Sequence, residues 1–178
     1  KMQAAGATLV KHYKELAFMG FIEVVNNLGT ILRNIKLCKE DITHYKPDAL
    51  ILVDYPGFNL RIAKWAKQQG YKIIYYISPQ VWAWKENRVK LIKTCVDKML
   101  VILPFEKDFY KKWDYEVEYV GHPLVEVVED FINAEEETKN KEQETGNIIA
   151  LLPGSRKQEI LKKLPIMLKV TSHFPAYR

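Results

Sequence analysis

Asp54 closes a short apolar run and opens the segment Val53-Asp54-Tyr55-Pro56-Gly57-Phe58-Asn59. If that run is a strand of an open α/β sheet, its carboxylate stands at the strand's carboxyl end, where such folds bind ligands. A carboxylate placed there can take a proton from a substrate hydroxyl. Aspartate at a strand end also serves as a turn or helix-capping residue, and the sequence leaves both readings open. Asn59 suits a helix N-cap. Ser78-Pro79-Gln80-Val81-Trp82-Ala83-Trp84 follows a second apolar run, which puts Ser78 and Trp82 at the same edge. Two indoles one residue apart, followed by Lys85, Arg88 and Lys90, either build a binding loop or cap the core. His122, in Gly121-His122-Pro123, follows a further short run and is either a ligand contact or structural. Pro153-Gly154-Ser155-Arg156 joins an apolar run to a helical pattern. Free N–H groups and the helix dipole at such a turn attract phosphate, and arginine adds a forked donor. Gly154, Ser155 and Arg156 are therefore candidate phosphate contacts, although many turns of this kind contain Gly-Ser.

The elements that must position these residues are legible as alternating patterns. Residues 49–53, 72–77 and 98–102 are apolar runs that read as parallel strands buried on both faces. Helical patterns at about 59–69 and 84–94 separate them, which predicts βαβ units and a doubly wound sheet. A short strand near 116–120 and a helix from Pro123 to about Phe131 continue the series. A longer helix is predicted from about Phe21 to Tyr45. In it Phe21, Val24, Val25, Leu28, Ile31, Leu32 and Ile35 fall in one stripe roughly 120° wide, which suits a core-facing helix or, where part of it is exposed, a membrane-facing one. Glu23, Asn26, Asn27, Thr30, Arg33 and Asn34 take the other side. From Asn133 to Gly146 the run Glu135-Glu136-Glu137-Thr138-Lys139-Asn140-Lys141-Glu142-Gln143-Glu144 lacks any apolar residue and reads as a charged linker. Ile148-Ile149-Ala150-Leu151-Leu152 then opens a new strand. The expected architecture is α/β with two Rossmann-like domains. Residues 1–132 form most of the first, 133–146 the linker, and 147–178 the opening βα unit of the second. Both ends read as the interior of a domain, so the chain is expected to be a piece of a longer protein.

Composition narrows the function classes. The chain has 178 residues, 48% hydrophobic and 28% charged, ordinary for a globular protein with a real core. Its net charge of +5 suits an anionic partner such as a phosphorylated substrate or an acidic membrane. No basic block is dense enough for a nucleic-acid arm. Cys38 and Cys95 form no Cys-x-x-Cys or Cys/His cluster, so neither zinc nor a disulfide is expected. No apolar stretch approaches the roughly 20 residues that span a bilayer. A soluble or peripheral protein is the expectation.

In order and spacing, several segments resemble the lipid-A-disaccharide synthases, inverting glycosyltransferases of family 19 with the two-domain GT-B fold. They are Lys1-Met2-Gln3-Ala4, Leu16-Ala17-Phe18-Met19-Gly20, the Asp54 and tryptophan segments, Leu103-Pro104-Phe105-Glu106-Lys107, Val120-Gly121-His122-Pro123-Leu124 and Leu151-Leu152-Pro153-Gly154-Ser155-Arg156. The resemblance implies a hexosyl transfer in lipid A biosynthesis of Gram-negative bacteria. UDP-2,3-diacylglucosamine donates its sugar to the 6-hydroxyl of 2,3-diacylglucosamine 1-phosphate, giving the β-1,6-linked disaccharide 1-phosphate and UDP. It implies no cofactor and no metal. It places the proposed base on Asp54 and the nucleotide face on Gly154, Ser155 and Arg156. Ser78, Trp82 and His122 are the further candidate substrate contacts. It also implies a cytoplasmic protein, peripheral on the inner face of the cytoplasmic membrane, with Ile22, Val24, Val25, Leu28, Ile31 and Leu32 as candidate membrane-facing residues. A homo-oligomer is compatible with it, and nucleic acid is not an expected partner. Because the family's first loop and most of its nucleotide domain are missing, this piece alone is expected to be inactive.

Two other readings stay open at this stage. One is another UDP-sugar enzyme of the GT-B type, against which the tryptophan segment and Leu-Pro-Phe-Glu speak. The other is a non-catalytic α/β binding module, against which the charged linker and the fresh βα unit speak.

Overall fold

The computed structural model describes residues 2–12, 28–137 and 148–175. Contacts divide the chain into two units, Lys1–Glu126 and Val127–Arg178. The first holds a four-stranded parallel sheet in the order β1 (Ala49–Val53), β2 (Lys72–Tyr76), β3 (Lys98–Val101) and β4 (Glu118–Tyr119). Register is fixed by Leu52 opposite Tyr75, Tyr75 opposite Met99, and Val101 opposite Tyr119. Between the strands run α2 (Pro56–Gln68), the short α3 (Val81–Trp84), α4 (Arg88–Cys95) and α5 (Glu106–Lys111); α1 (Leu28–Tyr45) precedes the sheet. A single 3₁₀ turn, Gln3–Ala5, lies near the start.

The sheet is buried on one face, not two. Leu52, Ile73, Tyr75, Met99 and Val101 form one core with Leu60, Ile62, Ala63 and Ala66 of α2 and Val89, Ile92 and Cys95 of α4. Their alternates Ile51, Ile74, Tyr76 and Leu100 are only half-buried or exposed, Ile51 at 66%. The reason is topological. Strands laid down in sequential order with right-handed crossovers carry every connecting helix to the same face. Among the described residues, the second helical layer of a doubly wound sheet is not present. Asp97 fastens the start of β3, accepting from the Ile73 N–H at 2.8 Å and from the Lys67 ammonium of α2. Burial pushes against it, yet those hydrogen bonds hold the carboxyl below its usual range.

Helix α1 turns a different side inward from the predicted stripe. Ile31, Asn34, Ile35 and Ile42 are buried and Cys38 packs beside them, while Leu28 and Leu32 are 49% and 55% exposed. At 100° per residue the buried side is rotated by roughly 70° from the apolar stripe. Asn34 can take an inward position because its Oδ1 accepts from Lys11 Nζ at 2.6 Å. Ile31 therefore belongs to the core and drops out of the candidate membrane face. Ile22, Val24 and Val25 lie outside the described residues, as does most of the charged stretch, 138–147. The helix predicted over 84–94 is broken: Lys85 leaves helical geometry (φ −150°, ψ 53°), ending α3 before α4 begins.

The second unit contains most of α6 (Leu124–Glu137), an extended segment, α7 (Lys157–Val170) and a 3₁₀ turn, Thr171–His173. The strand expected over 148–152 does not form. A strand needs a neighbour to complete its ladder, and none of the described residues supplies one. No described residue of this unit is buried, so its described residues form no core of their own. Among the described residues no helix is long and apolar enough to cross a membrane.

Candidate active site

Because the four strands are parallel, the turns that leave their carboxyl ends lie along one edge of the sheet. The first turn is unusual. Asp54 and Tyr55 are consecutive non-glycine residues in the left-handed region, at φ 46° and 45°. L-residues pay roughly 1–2 kcal/mol each for that conformation, so neighbours must hold it. Asp54 N–H donates to Tyr76 O at 2.9 Å. Asn59 Nδ2 reaches back to Val53 O and Asp54 O at 3.0 and 2.7 Å. Tyr75 Oη donates to Asp54 O at 2.5 Å. Burial pushes the Tyr75 phenol far above its usual value, so it remains a donor. Asn59 is therefore a clamp inside the first turn of α2, not its N-cap; Tyr55 holds the cap position, its side chain making no capping hydrogen bond, and proline opens the helix behind it. Asp54 caps nothing either. Its side chain is exposed and makes no hydrogen bond to a described residue, which leaves the carboxylate free for chemistry.

The turn after β2 is strained as well. Ile77 sits at φ 63°, rare for a β-branched residue, and its N–H donates to Leu100 O at 3.1 Å. The two turns wall a cleft of about 280 Å³ lined by Asp54, Pro56, Ile77, Ser78, Pro79, Gln80, Val81, Trp84, Lys85 and Arg88. Asp54 and Ser78 are thus brought together. Ser78 is buried, however, and its hydroxyl points to the interior: Oγ lies 2.7 Å from Tyr110 Oη and donates to Pro79 O at 3.1 Å. It builds the cleft floor instead of offering its hydroxyl to a ligand.

The support beneath that floor is Glu106, which sequence reasoning did not single out as a site residue. It is 2% exposed, and its Oε2 accepts from the Leu103 N–H at 2.9 Å. Burial pushes its carboxyl above the usual range, against the Leu103 hydrogen bond that pulls it down. Tyr110, fully buried beside it, is pushed up to about 12 by burial. The Glu106–Leu103 bond reaches past the cap position, Phe105, to a residue two before it, so no Ser/Thr-x-x-Glu capping pattern marks it in the sequence.

Of the two indoles, Trp84 lines the cleft and Trp82 does not. Residues two apart on a helical turn point to roughly opposite sides at 100° each. Trp82 packs edge-on against Phe105 with ring centroids 5.0 Å apart, tying the turn after β2 to the one after β3. His122 is also absent from the cleft lining. Its Nδ1 accepts from the Leu124 N–H at 3.1 Å, a cap on the first turn of α6. In the second unit Gly154 has φ 109°, and the Glu159 carboxylate lies over it in the space a side chain would need. Glu159 Oε1 also sits 3.5 Å from Arg156 Nη1, at the start of α7. The turn therefore already gathers a carboxylate where phosphate was expected. Among the described residues, no three His, Cys, Asp or Glu side chains converge as metal ligands would.

The family described as Lipid-A-disaccharide synthetase matches residues 1–174. "Lipid-A-disaccharide synthase 1" of Legionella pneumophila (strain Lens) is 46% identical over 173 residues, 94% of this chain and 44% of that protein. "Lipid-A-disaccharide synthase" of Trichlorobacter lovleyi is 41% identical over 170 residues, covering 95% and 44%. That of Coxiella burnetii is 39% identical over 170 residues, covering 95% and 45%. The chain thus spans less than half the length of the curated relatives it matches. With the parallel α/β sheet and the Asp54 edge already in place, this match of nearly every residue leaves one assignment: the chain belongs to the lipid-A-disaccharide synthetase family.

Proposed function

We propose that the intact protein joins two acylated glucosamines, taking the sugar of UDP-2,3-diacylglucosamine to the 6-hydroxyl of 2,3-diacylglucosamine 1-phosphate. The observation that carries this reading is the Asp54 carboxylate, exposed, without a hydrogen-bond partner among the described residues, and fixed on a clamped left-handed turn at the sheet's carboxyl edge. As the acceptor oxygen bonds to the anomeric carbon, Asp54 takes its proton and the bond to UDP breaks on the opposite side, inverting that carbon. UDP leaves with the electron pair. In the second unit, taken by itself, Arg156 and the N–H groups that begin α7 are donors of the kind phosphates use, provided Glu159 moves off the turn it now covers. An acceptor lacking the 6-hydroxyl tests this directly. Full-length protein should release UDP with the natural acceptor and none with the deoxy analogue; equal release from both would contradict the reading.

In the same reading Arg156→Ala in full-length protein weakens UDP binding, measured by calorimetry, by about 10-fold, as expected for loss of one charge-assisted hydrogen bond. Unchanged affinity would leave Arg156 as the ion-pair partner of Glu159 alone.

Both substrates carry acyl chains, so we place the protein in the cytoplasm on the inner face of the cytoplasmic membrane. Exposed Leu28 and Leu32, with Arg33 beside them, support this; Ile22, Val24 and Val25, the remaining candidates, lie outside the described residues. A basic residue near an anionic surface contributes roughly 1 kcal/mol. Replacing Leu28 and Leu32 by serine should move full-length protein from the pellet to the supernatant when sedimented with anionic vesicles. The melting temperature should hold, because neither side chain is in the core. Unaltered sedimentation would remove this face from membrane contact.

A further inference from the structure

Lys85 Nζ lies 4.9 Å, and the Arg88 guanidinium carbon 6.0 Å, from the centroid of the Trp84 indole. Trp84 is 69% exposed, so this stack does not serve the core. It stands on the wall of the Asp54 cleft, which all three residues line. Neither cation has a carboxylate within ion-pair distance among the described residues, and Asp54 is the one carboxylate in the lining. Two cations gathered at one ring repel each other, and an exposed cation–π contact offsets little of that. The wall is therefore short of an anion. Arginine offers a planar fork and lysine a point charge, the pair of donors that phosphate oxygens favour. The indole beside them gives a flat apolar surface for whatever carries the phosphate.

We propose that Trp84, Lys85 and Arg88 form a subsite for the phosphate monoester of the sugar acceptor. The inference rests on the transferase reading above and adds to it where the acceptor's charge is held. Both substrates carry phosphate, the acceptor as a monoester and the donor as a diphosphate. The position on the first unit selects the acceptor, because the hydroxyl that Asp54 deprotonates belongs to the acceptor and must enter this cleft. The phosphate then anchors the sugar against Trp84 while the base works at the same rim. Discrimination between phosphorylated and unphosphorylated acceptor is set here.

The test uses full-length protein with Lys85→Gln, Arg88→Gln and the double variant. Each is assayed with 2,3-diacylglucosamine 1-phosphate and with the same sugar lacking its phosphate, and UDP affinity is measured by calorimetry. Wild-type protein should prefer the phosphorylated acceptor in kcat/KM. In the double variant that preference should fall by about 10–100-fold, the range for losing a charge-assisted contact or two. The fall should come through KM. Arg88→Lys should recover part of it. A preference equal to wild type, or an equal loss on both acceptors, would overturn the subsite while leaving the transferase reading intact. Weakened UDP affinity with unchanged acceptor preference would assign the anion to the donor and overturn it as well. Wild-type protein that transfers to neither acceptor would overturn the transferase reading, and the subsite with it.

Discussion

Asp54→Asn in the full-length protein is expected to lower turnover by roughly 10²–10⁴-fold, the span usual for loss of a general base. Asparagine keeps the size and shape of the side chain but cannot accept a proton at neutral pH. The backbone of Asp54 is gripped through its N–H and its carbonyl, by Tyr76, Asn59 and Tyr75. None of those contacts uses the carboxylate. The substitution therefore leaves the turn in place, and donor affinity and melting temperature should match the wild type. Chemistry alone should fail, a fall in kcat with little change in KM for the donor. Near-wild-type turnover would remove Asp54 from proton transfer.

Glu106→Ala is expected to be the most damaging single change to stability among the polar residues near the site. The carboxylate is 2% exposed and accepts from the Leu103 N–H. Alanine leaves the Leu103 N–H without that acceptor and opens a void under the cleft. An unsatisfied buried group costs about 1–3 kcal/mol, so a loss of about that size is expected in denaturant titrations of full-length protein. That is a large share of the 5–15 kcal/mol typical of a whole domain. The same residue makes a pH prediction. Burial raises its folded pKa above the ordinary 4.5. The folded state then binds the proton more tightly than the unfolded state. This stabilising contribution is full below the ordinary value and is lost as pH rises through the folded one. Glu106→Gln has no such titration, so the stability difference between wild type and this variant should shift against the wild type on going from acid to neutral pH. A difference that is flat with pH, or a fully stable Glu106→Ala, would contradict the role given to this carboxylate.

Much of the first unit was legible in the sequence because strands and helices there carry strong local signals. The runs at 49–53, 72–77 and 98–102 became β1, β2 and β3 to within one residue. The carboxyl-edge position of Asp54 followed from the strand alone. What escaped depended on partners distant in sequence. Ile51, Ile74, Tyr76 and Leu100 are as apolar as the core residues they alternate with, so nothing local marks their face as the uncovered one. Asn34 points inward where Lys11 meets it, and the sequence distance between them hides that pairing. Which of Trp82 and Trp84 faces the cleft depends on the phase of a single helical turn, which periodicity cannot fix in four residues. The left-handed pair at 54–55 carries no glycine to announce it; its cause lies in Tyr75 and Asn59. The run 148–152 has the composition of a strand but lacks a neighbour among the described residues.

The most direct measurement of the central claim is the structure of the product formed by the intact protein. Full-length protein would be incubated with UDP-2,3-diacylglucosamine and 2,3-diacylglucosamine 1-phosphate, and the products resolved by mass spectrometry and NMR. The account predicts one equivalent of UDP for each disaccharide 1-phosphate, with a β-1,6 linkage formed by inversion at the donor's anomeric carbon. UDP released with free sugar in place of disaccharide, or a disaccharide joined with retained configuration, would contradict it.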